Sequence, residues 1–213
     1  MFKEPKIEKN IKEEAKKMGE TDAKAGDKLR YALNREVSER GIEDYKEILE
    51  MPITREFLGE KVLDLGSGVT GRFAKEAAEQ GIKIYSLTPV FNKPGIRKFL
   101  KSNENFPTAG LAQNLPYKSN VFDSVLSVWA VPAHIPPDKK NYIESFKEIV
   151  RVLKPGGRAF LAPILSTYDF DLVEQAIKKI KKEQPLKNKF EEGRRGTILI
   201  LTKSEEEKSK NNK

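Results

Sequence analysis

Residues 62–68 read Val-Leu-Asp-Leu-Gly-Ser-Gly, and Gly71 follows after Val69 and Thr70. The preceding run KVLDL (61–65) is apolar and β-branched, the character of a strand covered on both faces, and it carries an acid, Asp64, near its tip. Gly66 and Gly68 then let the backbone come close to a ligand. The next segment, GRFAKEAAEQG (71–81), reads as a helix ending at Gly81, and its first free amides would attract the polar end of that ligand. Gly66-x-Gly68-x-x-Gly71 by itself also matches a dinucleotide fingerprint and occurs in turns that hold nothing. The expectation is therefore a ligand pocket above the strand ends, with the ligand left open.

Outward from this turn the pattern alternates. IKIYSL (82–87) is a second strand, a helix is expected near 94–102, and a weak strand near 108–111. VFDSVLSVWAV (121–131) supplies a strong strand. Residues 138–153 form an amphipathic helix begun by Asp138, with Tyr142, Phe146, Ile149, Val150 and Leu153 on one side and Lys-Pro-Gly-Gly marking its end. A strand over RAFLAPI (158–164), a helix near 169–182 and two strands, KNKFEE (187–192) and GTILILTK (196–203), complete the series, with GRRG (193–196) as a hairpin. Strands alternating with helices imply an α/β fold: a Rossmann-like, mostly parallel seven-stranded sheet with helices on both faces and a C-terminal antiparallel hairpin. Before it, apolar residues at helical spacing (Ile7, Ile11, Ala15, Met18; Tyr45, Ile48, Leu49) suggest helices separated by Gly19, Gly26 and Gly41. The domain reading is a helical cap or brace over 1–58, a Rossmann-like domain over 59–203 and a disordered tail over 204–213.

Three later stretches accompany the glycine turn in order: Gln-Asn-Leu-Pro-Tyr (113–117), Phe-Asp-Ser-Val-Leu-Ser (122–127) and EIVRVLKPGGRAFL (148–161). With them, residues 60–202 resemble the class I S-adenosylmethionine-dependent methyltransferases, especially the small-molecule branch that includes quinone-biosynthesis enzymes. The resemblance implies S-adenosylmethionine as cofactor, with Asp64, Gly66, Ser67 and Gly68 on its methionine side. It implies further cofactor contacts from Thr88, Ala112, Gln113 and Ser127. Two positions depart from the family. Thr88 stands where a carboxylate grips both ribose hydroxyls, and Leu111 where many members place an Asp for the adenine amino group, with Gln113 nearby as an alternative acceptor. One more residue separates Gly68 from Gly71 than is usual in the family. Two lost charged hydrogen bonds of about 1.5–3 kcal/mol each would weaken cofactor affinity by orders of magnitude unless something replaces them.

The resemblance places Ser-Val-Trp-Ala-Val-Pro-Ala-His (127–134) at the mouth of the active site. His134, the only histidine, is the candidate catalytic base, since imidazole titrates near neutrality. Trp129 either walls the substrate pocket or is buried between sheet and helix. Tyr31, with Arg30 and Tyr45, belongs to helices that resemble the family's variable cap and would face the substrate; the other reading makes them a brace on the sheet.

Composition narrows the chemistry. The chain has 213 residues and no cysteine, which removes disulfides, thiolate metal sites and cysteine attack on pyrimidine C6; no metal site is read. The N-terminal stretch is charged and no long apolar run occurs, so the expectation is a cytoplasmic protein with no membrane partner. Net charge is +8, concentrated after residue 176. Nucleic acid is a possible partner but is not favoured, because aromatics are not interleaved with the lysines and no Asn/Asp-Pro-Pro-Tyr/Phe tetrapeptide is present. A nicotinamide oxidoreductase fares poorly, as no tyrosine has lysine four residues on. The leading expectation is methylation of a small-molecule acceptor; the alternative is a non-catalytic protein of the same fold with a degraded cofactor site.

Overall fold

The computed structural model describes residues 40–68, 71–89, 107–136, 138–165 and 167–205. The helices read before Gly41, the helix read at 94–102, Val69–Thr70 between the glycines and the end of the tail lie outside the described residues. The elements, in order, are α1 (Ile42–Leu49), α2 (Arg55–Leu58), β1 (Lys61–Leu65), α3 (Arg72–Glu79), β2 (Lys83–Thr88), β3 (Thr108–Ala109), β4 (Phe122–Val128), α4 (Lys139–Val152), β5 (Leu153–Ile164), α5 (Thr167–Lys181), β6 (Leu186–Gly193) and β7 (Gly196–Lys203).

The seven strands form one sheet in the order β3-β2-β1-β4-β5-β7-β6. β1 to β5 pair in parallel, β7 runs antiparallel to both β5 and β6, and the fold class is as the sequence implied. The period-two alternation of the strands sorts their side chains into two apolar layers. Leu63, Leu65, Val125, Ala159 and Leu161 face Phe146, Ile149, Val173 and Ile177 of α4 and α5. Val62, Leu126, Val128, Phe160 and Ala162 face Ile42, Tyr45, Leu49, Leu58, Phe73 and Ala77 of α1, α2 and α3. Residues 42–58 thus share the core of the sheet and brace one of its faces.

Local chemistry explains the boundaries. Asp138 caps α4, its side chain accepting from the amides of Lys140 and Asn141, and Thr54 caps α2 through the amide of Phe57. Gly81, at φ +74, closes the segment after α3 as expected. The hairpin at Arg194–Arg195 joins β6 to β7 through the Gly193–Gly196 pair.

One boundary differs from the sequence reading. Lys-Pro-Gly-Gly does not separate α4 from a strand beginning at Arg158. The strand begins directly at Leu153, paired with Phe122, and Lys154–Gly157 is accommodated as an irregularity before pairing resumes at Ser124–Arg158. A Cβ at Gly157 would lie 2.9 Å from the Lys154 carbonyl oxygen and 3.0 Å from that of Asp123, so the detour requires glycine there.

The hairpin tip reaches α1. The Arg194 amide donates to Glu50 Oε1 at 2.7 Å, and the Arg195 guanidinium donates to Glu47 Oε1 at 2.9 and 3.2 Å. From the other side Glu76 of α3 accepts the Ile42 amide at 2.7 Å.

Candidate functional site

Strand order reverses between β1 and β4, because the chain moves outward from β1 through β2 to β3 and returns on β1's other side as β4. Such a switch point leaves a crevice at the carboxyl ends of the strands. The turns that line it are Gly66–Gly68 after β1, Gly110–Asn114 after β3 and Trp129–Pro136 after β4.

The β1 turn is tightly built. Gly66 has φ +87 and Gly68 φ +69. The amides of Gly66 and Ser67 both donate to the Leu87 carbonyl at the end of β2, at 2.8 and 3.1 Å, and the Ser67 hydroxyl lies within 3.2 Å of the Gly68 carbonyl. A Cβ on Gly66 would lie 2.1 Å from that of Ala130, so the turns after β1 and β4 abut and only glycine fits between them.

Asp64 is 1% exposed and projects from β1 into the layer beneath α1 and α3. Its Oδ1 accepts a 2.7 Å hydrogen bond from the Tyr45 hydroxyl, while Oδ2, also buried, has no hydrogen-bond partner among the described residues. Burial pushes the carboxyl up to about 7, against the opposing pull of the Tyr45 hydrogen bond and the Arg40 charge. Burial likewise raises the Tyr45 hydroxyl well above its usual range, and the Asp64 charge adds to it. The Tyr45 ring stacks on Phe73 with centroids 3.8 Å apart and planes 2° from parallel. Arg40 faces the same pair, and its Nε is buried without a partner among the described residues.

The other residues singled out in the sequence occupy varied places. Thr88 is buried at the end of β2, and its carbonyl accepts from the Gly110 amide at 3.2 Å. Ala112 is buried, while Leu111 beside it is 57% exposed. Gln113 is half-buried with Nε2 at 3.5 Å from Asn141 Oδ1 at the start of α4. Ser127 is fully buried, its hydroxyl accepting from the Val131 amide at 2.8 Å, so it caps the turn after β4. Trp129 is half-buried at φ +57, outside β4, and packs against the α1/α3 layer. His134 is exposed on the same turn, its amide donating to the Ala130 carbonyl at 2.7 Å. Tyr31 lies outside the described residues. Among the described residues no cluster of three or more histidine or acidic side chains could hold a metal, and no helix is long and apolar enough to cross a membrane.

Sequence reasoning missed the device that holds the β3 turn. Glu148 Oε2 accepts the Leu115 amide at 2.7 Å and Arg151 Nη2 at 2.7 Å, and its Oε1 accepts Arg151 Nε at 2.6 Å. Arg151 in turn donates to the carbonyls of Tyr117 and Leu115 at 2.7 and 3.1 Å. The i, i+3 Glu–Arg spacing in EIVR was the available signal. Arg151 first, and then the Leu115 amide, hold the Glu148 carboxyl below its ordinary value. That stabilisation is full above about pH 4.5 and is lost as pH falls through the lowered folded-state value. Glu148→Gln is expected to cost about 1–2 kcal/mol and to speed amide exchange at Leu115, both read by hydrogen exchange.

Another cleft, between Phe57, Gly59, Asp123, Lys154 and Arg158, opens at the amino-terminal ends of the central strands β1, β4 and β5. In it Asp123 pairs with Lys154 at 2.6 Å and Arg158 donates to the Phe57 carbonyl at 2.5 Å. The crevice at the strand ends is the candidate site on topology.

Residues 63–161 match the family described as methyltransferase domain. Demethylmenaquinone methyltransferase of Paenarthrobacter aurescens (strain TC1) is 31% identical over 105 residues, 49% of this chain and 39% of that protein. A sterol 4-C-methyltransferase of Caenorhabditis elegans is 29% identical over 119 residues, 51% of this chain and 32% of that one. The chain thus spans about a third of the length of these curated relatives. A solved protein of Pyrococcus horikoshii OT3 superposes with a TM-score of 0.57 at 18% identity, over 84% of this chain and 99% of the other, a likeness of fold.

Proposed function

From a chain that carries a methyltransferase domain over residues 63–161, we propose an enzyme that transfers a methyl group from S-adenosylmethionine to a small-molecule acceptor. The observation that carries the reading is Asp64 Oδ2, a buried carboxyl oxygen on the strand that leads into the glycine turn, with no donor among the described residues. An unpaired buried acceptor is costly unless a ligand supplies the missing donor, and an ammonium group is its complement. The residues therefore fit the amino-acid end of the cofactor. Asp64 would take its ammonium group, the Gly66–Gly68 turn would admit its chain, and Leu111 would offer an apolar face to the adenine. When bound, the cofactor supplies an electrophilic methyl group on sulfur, a reactive donor.

The tasks left to the protein are alignment and exclusion of water. Trp129 and the turn after β4 would wall the acceptor side, and His134 on that turn would accept the acceptor's proton where one must leave. The names of the relatives above, acting on a quinone precursor and a sterol, support an acceptor with an apolar body.

A second reading, a non-catalytic binding protein of this fold, is favoured by Thr88 and Leu111, which put a buried hydroxyl and an exposed hydrocarbon where family members place carboxylates. Calorimetric titration with S-adenosylhomocysteine tests both. Saturable binding supports the enzyme, and absence of heat at high micromolar ligand leaves only the second reading.

A further inference from the structure

We propose that the open edge of β6 is a docking surface for a second copy of this chain, the two edges pairing antiparallel about a two-fold axis centred on Phe190. The surface is separate from the crevice, since β6 stands three strands out from β4 in the order β4-β5-β7-β6.

The sheet ends at β3 on one side and at β6 on the other. An end strand presents unpaired N–H and C=O groups, and folds protect such edges with short strands, bulges, proline or charge. β3 is protected by its length, two residues. β6 is long: it runs eight residues, LKNKFEEG, without proline. It pairs with β7 residue for residue, from Leu186↔Lys203 to Gly193↔Gly196, with no register shift. Among the described residues only β7 pairs with it. Charge is the remaining protection, and charge of one sign would repel a second copy. β6 instead carries Lys187 and Lys189 in its first half and Glu191 and Glu192 in its second, a pattern complementary to its own reverse.

The hydrogen bonding fixes the register. The Ser204 amide donates to the Pro185 carbonyl at 3.2 Å, one step beyond the Leu186↔Lys203 pair. Bonding to β7 therefore falls on the odd residues of β6, and the amides and carbonyls of Asn188, Phe190 and Glu192 point to the open side. Antiparallel pairing then sets even residues against even ones. Centred on Asn188 or Lys189 it opposes lysines, and centred on Glu191 it opposes glutamates. Centred on Phe190 it places Lys189 opposite Glu191 of the second copy, and the reverse, at the non-hydrogen-bonded positions where side chains come closest. Lys189 and Glu191 already pair within one chain at 2.5 Å, with 70% and 39% of their side chains exposed, so two copies complete a square of alternating charge. On the other face the half-buried Phe190, whose ring centroid lies 4.6 Å from that of Phe170 of α5, meets its own copy. A two-fold axis closes the contact at two chains.

The experiment is sedimentation equilibrium of the intact chain up to about 200 µM, because an edge-to-edge contact is small and its association weak. Wild type is expected to approach twice the chain mass. Asn188→Pro removes an N–H that faces the open side and leaves the bonds to β7 in place, and it is expected to be monomeric. Lys189→Glu and Glu191→Lys each set like charges opposite one another and should weaken association at least about tenfold. Mixing these two variants restores both opposed pairs, so the mixture is expected to associate where neither does alone. Thermal melting checks that each variant is folded. A wild type that stays monomeric overturns the proposal. So does a dimer that survives Asn188→Pro, or a mixture that associates no better than its components.

Discussion

Asp64→Asn is expected to raise the melting temperature at pH 8 while abolishing binding of S-adenosylhomocysteine. The two effects have one origin. In the folded chain the carboxyl is held near 7 by burial, whereas in the unfolded chain it ionises near its ordinary value of about 3.9. Between these values the folded state holds a proton that the unfolded state has lost, so stability falls as pH rises from about 4 to about 7 and stays low above. The accumulated cost by pH 8 is on the order of 4 kcal/mol. An asparagine never ionises and its carbonyl still accepts from Tyr45, but its amide N–H lacks a partner at roughly 1–3 kcal/mol. The net gain of about 2 kcal/mol corresponds to roughly 5 °C for a domain of this size. By about pH 5 the wild-type carboxyl is protonated in the folded state and the advantage disappears. Scanning calorimetry of both proteins at pH 5 and pH 8 measures this directly. A variant less stable than wild type at pH 8 would show that Asp64 is compensated in the free protein and is not waiting for a ligand.

Gly66→Ala is expected to be the most damaging single methyl group in the chain. Two independent penalties apply. The backbone stands at φ +87, where a Cβ costs about 1–3 kcal/mol, and that Cβ would lie 2.1 Å from the Cβ of Ala130, well inside contact distance. Neither partner is the far end of a flexible side chain, so one of the two turns must move, and the crevice between them with it. A loss of about 3 kcal/mol or more is expected, together with loss of nucleoside binding. The double variant Gly66→Ala/Ala130→Gly removes the collision and keeps the dihedral strain. Denaturant unfolding should find it about halfway back to wild type. If it is no better than the single variant, the close approach of the two turns is not what demands glycine.

Much of the fold was legible because its signals are local. KVLDL, VFDSVLSV and GTILILTK are strand-like by composition, Asp138 announces α4, and GRRG closes a hairpin. The KPGG detour was misread because a helix stop and a strand irregularity use the same residues; only the pairing of Leu153 with Phe122 separates them. At the site, Asp64 stood out as an acid on an otherwise apolar strand. Its partners did not, since a hydrogen bond across 19 positions leaves no periodic trace. A hint was available in α1, where Tyr45 falls in the buried stripe with Ile42, Ile48 and Leu49. A buried tyrosine needs a partner for its hydroxyl, and Asp64 is the acid on the strand it faces. Ser127 carries a second task that its motif position did not announce: its hydroxyl accepts the Val131 amide and caps the turn that bears His134.

The bonds from the hairpin tip to Glu47 and Glu50 give α1, the helix that carries the Tyr45 hydroxyl bonded to Asp64, a peripheral clasp. The side chains in this clasp are largely exposed, Arg195 at 57% and Glu47 at 47%, so dissolved ions compete with them and each is weak alone. Raising the ionic strength should loosen α1 before it touches the apolar layers, carrying the Tyr45 hydroxyl away from its carboxylate while the sheet stays intact. Grip on the ligand's head and integrity of the fold would then part company along the salt axis, with the grip failing first.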